Sequence, residues 1–474
     1  MTLAPAHIEA LIARAGAGGG TTDADTIAPH ITEWRDKFMG ATPLMLTPKD
    51  TESVAAILAY ANEHTIRVVP QGGNTGLVGG GIPGLEGREE ILLSLKKMDR
   101  ILSVEPESYL LTAEAGATIA SVQAAAAAKD RLFPLSLASE GSCTVGGTIS
   151  TNAGGVHVIR YGTMRRLVAG VEAVLPAGTI IRDLDGLPKN NTGYDLKQLL
   201  IGAEGTLGIV TRATLRLAEP ERVRHTLWLA VPSPAAALTA LSTLKDVTGG
   251  RVSAAEIVSA AGLGLVLAHI PGARDPLSSP SPWYLLIEAA TTGEDAALET
   301  AIMTWLEARM ADGTVTDGTL AQSLTEREAL WKLRESLSEA QKHEGASIKH
   351  DIAVPVTSVP AFLKDGTALI EARWPGARVI AFGHVGDGNI HFNVSVPKGG
   401  DGKVFLKEWE AMNAAVHDLV VSMGGSISAE HGIGTLKRGE LGRLKPAAEL
   451  EAMRAIKRAL DPKGILNPGV LIPY

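Results

Sequence analysis

Two histidines in FGHVGDGNIHFN, residues 382–393, and the Glu430-His431 pair of SAEHGIG are the side chains of this sequence best suited to hold and use a metal ion. Asp387-Gly388 is a strong two-residue hairpin signal, and a turn there sets His384 opposite His391, with Phe382 and Asn393 on the same face. Directly opposed side chains have Cβ atoms roughly 5 Å apart, within reach of two imidazoles on one ion. Two neutral imidazoles and the Glu430 carboxylate suit zinc, non-haem iron or another first-row divalent ion, and three protein ligands leave a coordination position for substrate. His-x6-His is no recognised zinc spacing, so hydrogen-bonded core histidines are the competing reading. Glycines around Glu430-His431 let the backbone approach a ligand closely and favour the metal.

These residues need elements to position them. After a polar, helical N-terminal stretch, residues 1–38, the pattern becomes strand, helix, strand: 44–46, then 51–64 with Val54, Ile57, Leu58 and Ala61 at helical spacing, then 66–69. Strands follow at 91–95 and 110–114, with an alanine-rich helix at 119–129. Beyond Pro220 a new domain begins, of apolar strands and amphipathic helices. Its clearest helix spans 324–344, with Ser323 and Glu326 as a capping box, Leu330, Leu333, Leu337 and Ala340 as the buried stripe, and Gly345 as its cap. Trp331, Arg334 and Ser338 form a second stripe of that helix. A strand at 348–354, a helix near 358–372, the histidine hairpin, a helix at 403–422 stopped by Gly424-Gly425, and a last helix ended by Asp461-Pro462 complete the chain.

At 474 residues the chain exceeds one hydrophobic core and implies two or three domains. Its 44 Lys and Arg against 52 Asp and Glu leave a net charge of −8, and no basic block is present to track nucleic acid. Cys143 stands alone, so no internal disulfide forms. The N-terminus lacks a signal-peptide pattern and no long uncharged apolar run suggests a membrane span, so a cytoplasmic protein is expected.

Glycine is concentrated in three loops, PQGGNTGLVGGG at 70–81, EGSCTVGGTISTNAGG at 140–155 and GAEGTLGIV at 202–210. Loops of this kind cradle a phosphate-bearing ligand with backbone N–H groups. GGGIPG at 79–84 fits the dinucleotide fingerprint, but strand rather than helix follows, and no P-loop string occurs.

PQGGNTG, SEGSCTVGGTISTNAGG, NNTGYDLKQLLIGAEGTLGIV, FGHVGDGNIHFN, SAEHGIG and LDPKGILNPG, in that order from residue 39 to 470, resemble the flavin-binding D-2-hydroxyacid dehydrogenases of the vanillyl-alcohol-oxidase superfamily. The resemblance implies an α+β fold: after the 1–38 extension, an FAD-binding domain of two α+β subdomains at 39–219, an antiparallel-sheet substrate (cap) domain with helices at 220–423, and a C-terminal helical segment at 424–474 that completes the active site and FAD pocket. It assigns Pro70, Gln71, Gly72, Gly73, Asn74, Thr75 and Gly76 to the FAD pyrophosphate, Gly141, Ser142, Gly147, Asn152, Gly154 and Gly155 to the flavin, and Glu204, Gly205 and Ile209 to the rest of that pocket. His384, His391 and Glu430 would hold the metal, zinc foremost, and His431 would be the base. Arg334 and Lys349 match substrate-carboxylate binders, with Asn393 and Ser338 beside them; Ser338 stands where relatives carry threonine. Relatives with covalent FAD carry histidine in the first loop, so Asn74 implies FAD held without a covalent bond.

These parts imply oxidation of a D-2-hydroxy acid to a 2-oxo acid: the metal lowers the hydroxyl pKa, His431 takes the proton, and hydride leaves C2 for flavin N5. Two cations suit a dicarboxylate such as D-2-hydroxyglutarate, with D-lactate and D-malate as close alternatives. A flavoprotein electron carrier with structural zinc is the rival from another class. No nicotinamide site is visible, which leaves an electron-transfer flavoprotein or a quinone as acceptor, and an apolar seam on the 403–422 helix permits a homodimer.

Overall fold

The computed structural model describes residues 3–473 and divides into two compact units. The first runs from the N-terminus to Gly155, resumes at Gly162–Pro220 and takes up the chain again from Glu430 to its end. The second comprises Val156–Tyr161 and Glu221–Ala429.

The first unit carries two sheets. In the smaller, Gly20–Thr21, Met45–Leu46, Ile91–Ser94 and Val68–Gln71 lie side by side, the last three mutually parallel. Parallel neighbours need a crossover, and the helix Thr51–His64 supplies it. Asp50 caps its start by accepting from the Ser53 amide at 2.7 Å, and Thr65 ends it in the left-handed region. Val54, Ile57, Leu58 and Ala61 are fully buried with Leu46, Val68, Ile91 and Leu93, and each valine, leucine or isoleucine among them stabilises by about 1.5–3 kcal/mol. The N-terminal stretch is more than an appendage: Leu11 and Ala15 enter this core, and Gly20–Thr21 extends the sheet. The second sheet is antiparallel, in the order Ile101–Glu105, Leu110–Glu114, Ile209–Arg216, Val168–Val174, Ile180–Asp183.

The second unit is built on one antiparallel seven-stranded sheet, in the order Asp317–Leu320, Val223–Val231, Trp283–Thr291, Val252–Ser259, Arg378–His384, Asn389–Ser395, Ser347–Ala353. One face packs Ile257, Leu285, Ile287, Ile348, Ile352, Phe392 and Val394 against the helices Pro234–Val247, Ala296–Ala311, Val359–Arg373 and Trp409–Ser422. The other packs Val258, Tyr284, Leu286, Ile380 and Phe382 against Ala260–His269 and the helix that starts at Leu324. Val156–Tyr161 joins this unit through Arg160, which donates to the Ala290 carbonyl at 2.9 Å and to Glu221, and through Ile159, packed on Gly386.

Ser323 caps the Leu324 helix by accepting from the Glu326 amide at 3.2 Å, while the Glu326 carboxylate reaches back to the Gln322 amide at 2.7 Å. The helix does not run through to Glu344. It ends at Glu335, and Leu337–Ala340 and a 3₁₀ turn, Gln341–Glu344, follow. The break seats Leu337 against Gly262 of the neighbouring helix, and the apolar stripe continues across it with Leu330, Leu333, Leu337 and Ala340 all buried.

The histidine hairpin also differs from its expected form. The connection is four residues, Val385 to Gly388, and the strands pair Phe382 with His391 and His384 with Asn389. His384 and His391 are therefore diagonal neighbours, two positions out of the expected register. The Asp387 carboxylate accepts from the Asn389 amide at 3.0 Å, and Gly388, at φ 84°, lies where a Cβ would strike the Val354 carbonyl. A two-residue offset preserves side-chain parity, so both imidazoles still share one face.

Candidate active site

In the first unit, three loops far apart in sequence meet. A Cβ on Gly72 would come within 2.3 Å of Thr144 Oγ1, one on Gly73 within 2.1 Å of the Ser142 carbonyl, and one on Gly205 within 2.5 Å of Pro70. The Gly202 and Glu204 amides donate to the Ile149 and Ser150 carbonyls at 3.0 and 2.8 Å, which joins the third loop to the second. Gly155 is as tightly placed, 1.9 Å from the Ser136 carbonyl. By contrast, Gly76 and Gly141 have no protein atom within 4 Å of an added Cβ. Their lack of a side chain serves no contact within the chain, which fits a cofactor lying against bare backbone.

Other expected cofactor residues serve as struts. Gln71 donates to the His30 and Gly81 carbonyls, both at 2.8 Å, and Asn74 donates to the Thr32 carbonyl at 3.0 Å, so the N-terminal stretch props the first loop. Asn152, left-handed at φ 50°, accepts from the Arg165 amide at 2.9 Å. Gly147 sits at the start of Val145–Thr151, its amide facing Thr144 Oγ1 at 3.4 Å; Gly154 is buried, Thr75 lies in the first loop, and Ile209 opens its strand. Glu204 has turned its carboxylate to the amides of Ile433 and Gly434, each at 2.8 Å. Burial pushes its pKa up, and those two amides and the charge of Lys437 only partly counter it. Gly432, at φ 79°, comes so close to this carboxylate that a Cβ would lie 2.7 Å away. The loop bearing Glu430 and His431 is thus pinned within the first unit by Glu204. Asn467 adds a tie the sequence reading missed, donating to the Gly80 and Glu204 carbonyls at 2.9 and 2.7 Å; its signal was the NPG string after the last helix.

In the second unit, strand register lines polar side chains along one face. Glu256, His384 and Asn389 form one row, Phe382, His391 and Asp351 the next, and Asn393 and Lys349 a third. His384 Nδ1 faces Glu256 Oε1, and Arg334 Nε donates to Glu256 Oε2 at 2.6 Å. The Arg334 guanidinium lies over the Phe382 ring, 4.7 Å from its centroid. Burial favours protonation of Glu256, but Arg334 and His384 outweigh it and hold the carboxyl down at about 2. The two imidazole centroids are 5.8 Å apart, and His391 Nδ1 lies 3.9 Å from Asp351. Asn389 donates to Asp351 at 3.0 Å, and Asn393 to Gln341 at 3.0 Å. Ser338 is exposed on the short Leu337–Ala340 helix. Glu256 and Asp351 were missed from sequence, although Glu256 is the one charged residue of the strand VSAAEIVS, a position that charge tolerates only with partners. The Ala429 amide donates to the Asp351 carbonyl at 3.3 Å, which anchors the last residue of this unit to the sheet.

The architecture is that of FAD-linked oxidases of the vanillyl-alcohol-oxidase superfamily. p-Cresol methylhydroxylase superposes with TM-score 0.73 over 98% of this chain and 96% of that one at 16% identity, and alkyldihydroxyacetonephosphate synthase with 0.72 over 98% and 86% at 17%. Residues 42–183 match the family profile "FAD binding domain", and 220–471 match "FAD linked oxidases, C-terminal domain". D-2-hydroxyglutarate dehydrogenase of Stutzerimonas stutzeri is 38% identical over 98% of both chains, and the mitochondrial D-2-hydroxyglutarate dehydrogenase of Danio rerio 37% over 96% of this chain and 83% of its own. The chain belongs to the FAD-dependent D-2-hydroxyacid dehydrogenase family.

Proposed function

We propose that the enzyme oxidises D-2-hydroxyglutarate to 2-oxoglutarate, with Arg334 and Lys349 as carboxylate binders, Asn393 and Ser338 beside them, His384, His391 and Glu430 as metal ligands, and His431 as base. The observation that carries this reading is Arg334: a buried guanidinium whose one protein hydrogen bond among the described residues is from Nε to Glu256. Its Nη edge remains for a carboxylate, in the fork geometry that a guanidinium offers. Lys349, on the same sheet face as His384, His391 and Asn393, supplies the second charge a dicarboxylate needs. The names of the relatives support the same substrate.

His384, His391 and Glu430 offer two imidazole nitrogens and a carboxylate oxygen, donors that fit zinc or iron. With Nδ1 of His384 turned to Glu256, its Nε2 is the nitrogen for a metal, the arrangement found where a carboxylate orients a ligating histidine. When bound, FAD supplies the hydride acceptor of the reaction, without a covalent link, and the metal a Lewis acid at the substrate oxygen. Arg334 and Lys349 hold the two carboxylates, and His431 takes the hydroxyl proton, a task suited to an imidazole near neutral pH. Electrons then pass to a protein such as an electron-transfer flavoprotein, or to a quinone.

Anaerobic mixing with D-2-hydroxyglutarate, D-malate and D-lactate while following the flavin absorbance tests the reading. Fastest bleaching is expected with D-2-hydroxyglutarate, slowed upon chelation. No bleaching with any of the three, or preference for D-lactate, overturns it.

A further inference from the structure

Two glutamates on adjacent strands of the seven-stranded sheet, Glu256 and Glu288, are both fully buried and both meet an arginine of the helix Leu324–Glu335. Glu288 forms a closed bridge. Arg327 grips it through Nε and Nη2 at 2.7 and 3.2 Å, and Thr226 and Trp331 take further lone pairs at 2.6 and 3.2 Å. Glu256 meets Arg334 through one oxygen alone, because the other is given to His384. An ionised carboxylate only accepts, so it selects the tautomer of His384 with the proton on Nδ1 and the lone pair on Nε2. The same group fixes the Arg334 plane from its Nε side, with Phe382 beneath the guanidinium, and leaves the Nη fork outward.

We propose that Glu256 is a positioning residue that couples substrate recognition to metal binding, one carboxylate setting the Arg334 fork with one oxygen and the His384 tautomer with the other. The inference rests on the function proposed above. Glu256→Gln is its sharpest test, since an amide has one accepting atom for two N–H donors. If its oxygen stays with Arg334, its NH₂ faces His384 Nδ1 and favours the tautomer protonated at Nε2, which cannot ligate there. If it flips, two donors oppose each other at Arg334.

Zinc(II) affinity, by chelator competition on metal-stripped flavoprotein, and KM for D-2-hydroxyglutarate are expected each to worsen about tenfold or more in Glu256→Gln. Glu288→Gln should lower the melting temperature yet leave both unchanged, which separates positioning from support of the fold. Should Glu256→Gln not fold, Glu256→Asp, which keeps two accepting oxygens but retracts them, must show both losses. Wild-type enzyme that binds zinc and turns over, beside a folded Glu256 variant that loses only one property or neither, overturns the coupling alone. Wild-type protein that neither takes up zinc nor is reduced by D-2-hydroxyglutarate overturns the functional reading itself, and the coupling with it.

Discussion

The two units bring chemistry to their sites by opposite means. In the first, the candidate cofactor cradle is backbone: glycine loops packed so closely that Gly72, Gly73 and Gly205 admit no Cβ. In the second, the site is side chains, spaced by strand register on one sheet face. Their buried carboxylates show the contrast in electrostatic terms. Burial raises the pKa of Glu204, whose hydrogen bonds come from backbone amides and whose cation, Lys437, acts only through its charge, whereas Glu256 and Glu288 are bonded directly by arginines and theirs are lowered. Backbone cradles tolerate changes of side chain and not of shape, while side-chain constellations tolerate neither loss of charge nor of fork geometry.

Gly73→Ala should break the first unit most severely, because its Cβ would meet the Ser142 carbonyl, which cannot swing aside as a side chain does. A loss of about 3 kcal/mol and of most bound flavin is expected, read from denaturant unfolding and the ratio of flavin to protein absorbance. Arg334→Lys tests the second unit. A single ammonium cannot bond Glu256 and present a fork together, so KM should rise about tenfold or more in steady-state kinetics with the fold retained. The carboxylates sharpen the contrast through pH. Glu204, with its folded pKa above the unfolded ~4.3, contributes stability present below that value and lost as pH rises through the folded one. Glu288, with its folded pKa below ~4.3, contributes stability present above that value and lost as pH falls through the folded one. The advantage of wild type over Glu204→Gln should therefore shrink as pH rises above about 4, and that over Glu288→Gln should shrink as pH falls below about 4, measured as unfolding midpoints. Ser142→Ala should change stability little, within about 0.5 kcal/mol, since the Ser142 carbonyl and not its side chain is what a Cβ on Gly73 would meet.

The glycine loops were legible as composition, because few other residues let three turns approach a ligand; their mutual contact was not, because it joins segments separated by long stretches of chain. Periodicity located Thr51–His64 and the buried stripe of the Leu324 helix, but not the break at Ser336, after which Leu337 packs beside Gly262 of another helix. In the hairpin, alternation determined which residues share a face, and Asp387-Gly388 suggested the wrong loop length. Local turn preference yielded to contacts with Val354 and Asn389. Glu256 carries no motif around it, and its role emerges only when a strand, a hairpin and a helix converge on it.

Val156–Tyr161 belongs to the second unit while the chain on both sides of it belongs to the first. During synthesis this short piece leaves the ribosome well before the strands that receive Ile159 and Arg160 have been made. The first unit also waits for its own last segment, from Glu430 onward, and a cut at residue 220 would strand the Val156–Tyr161 loop in the wrong fragment.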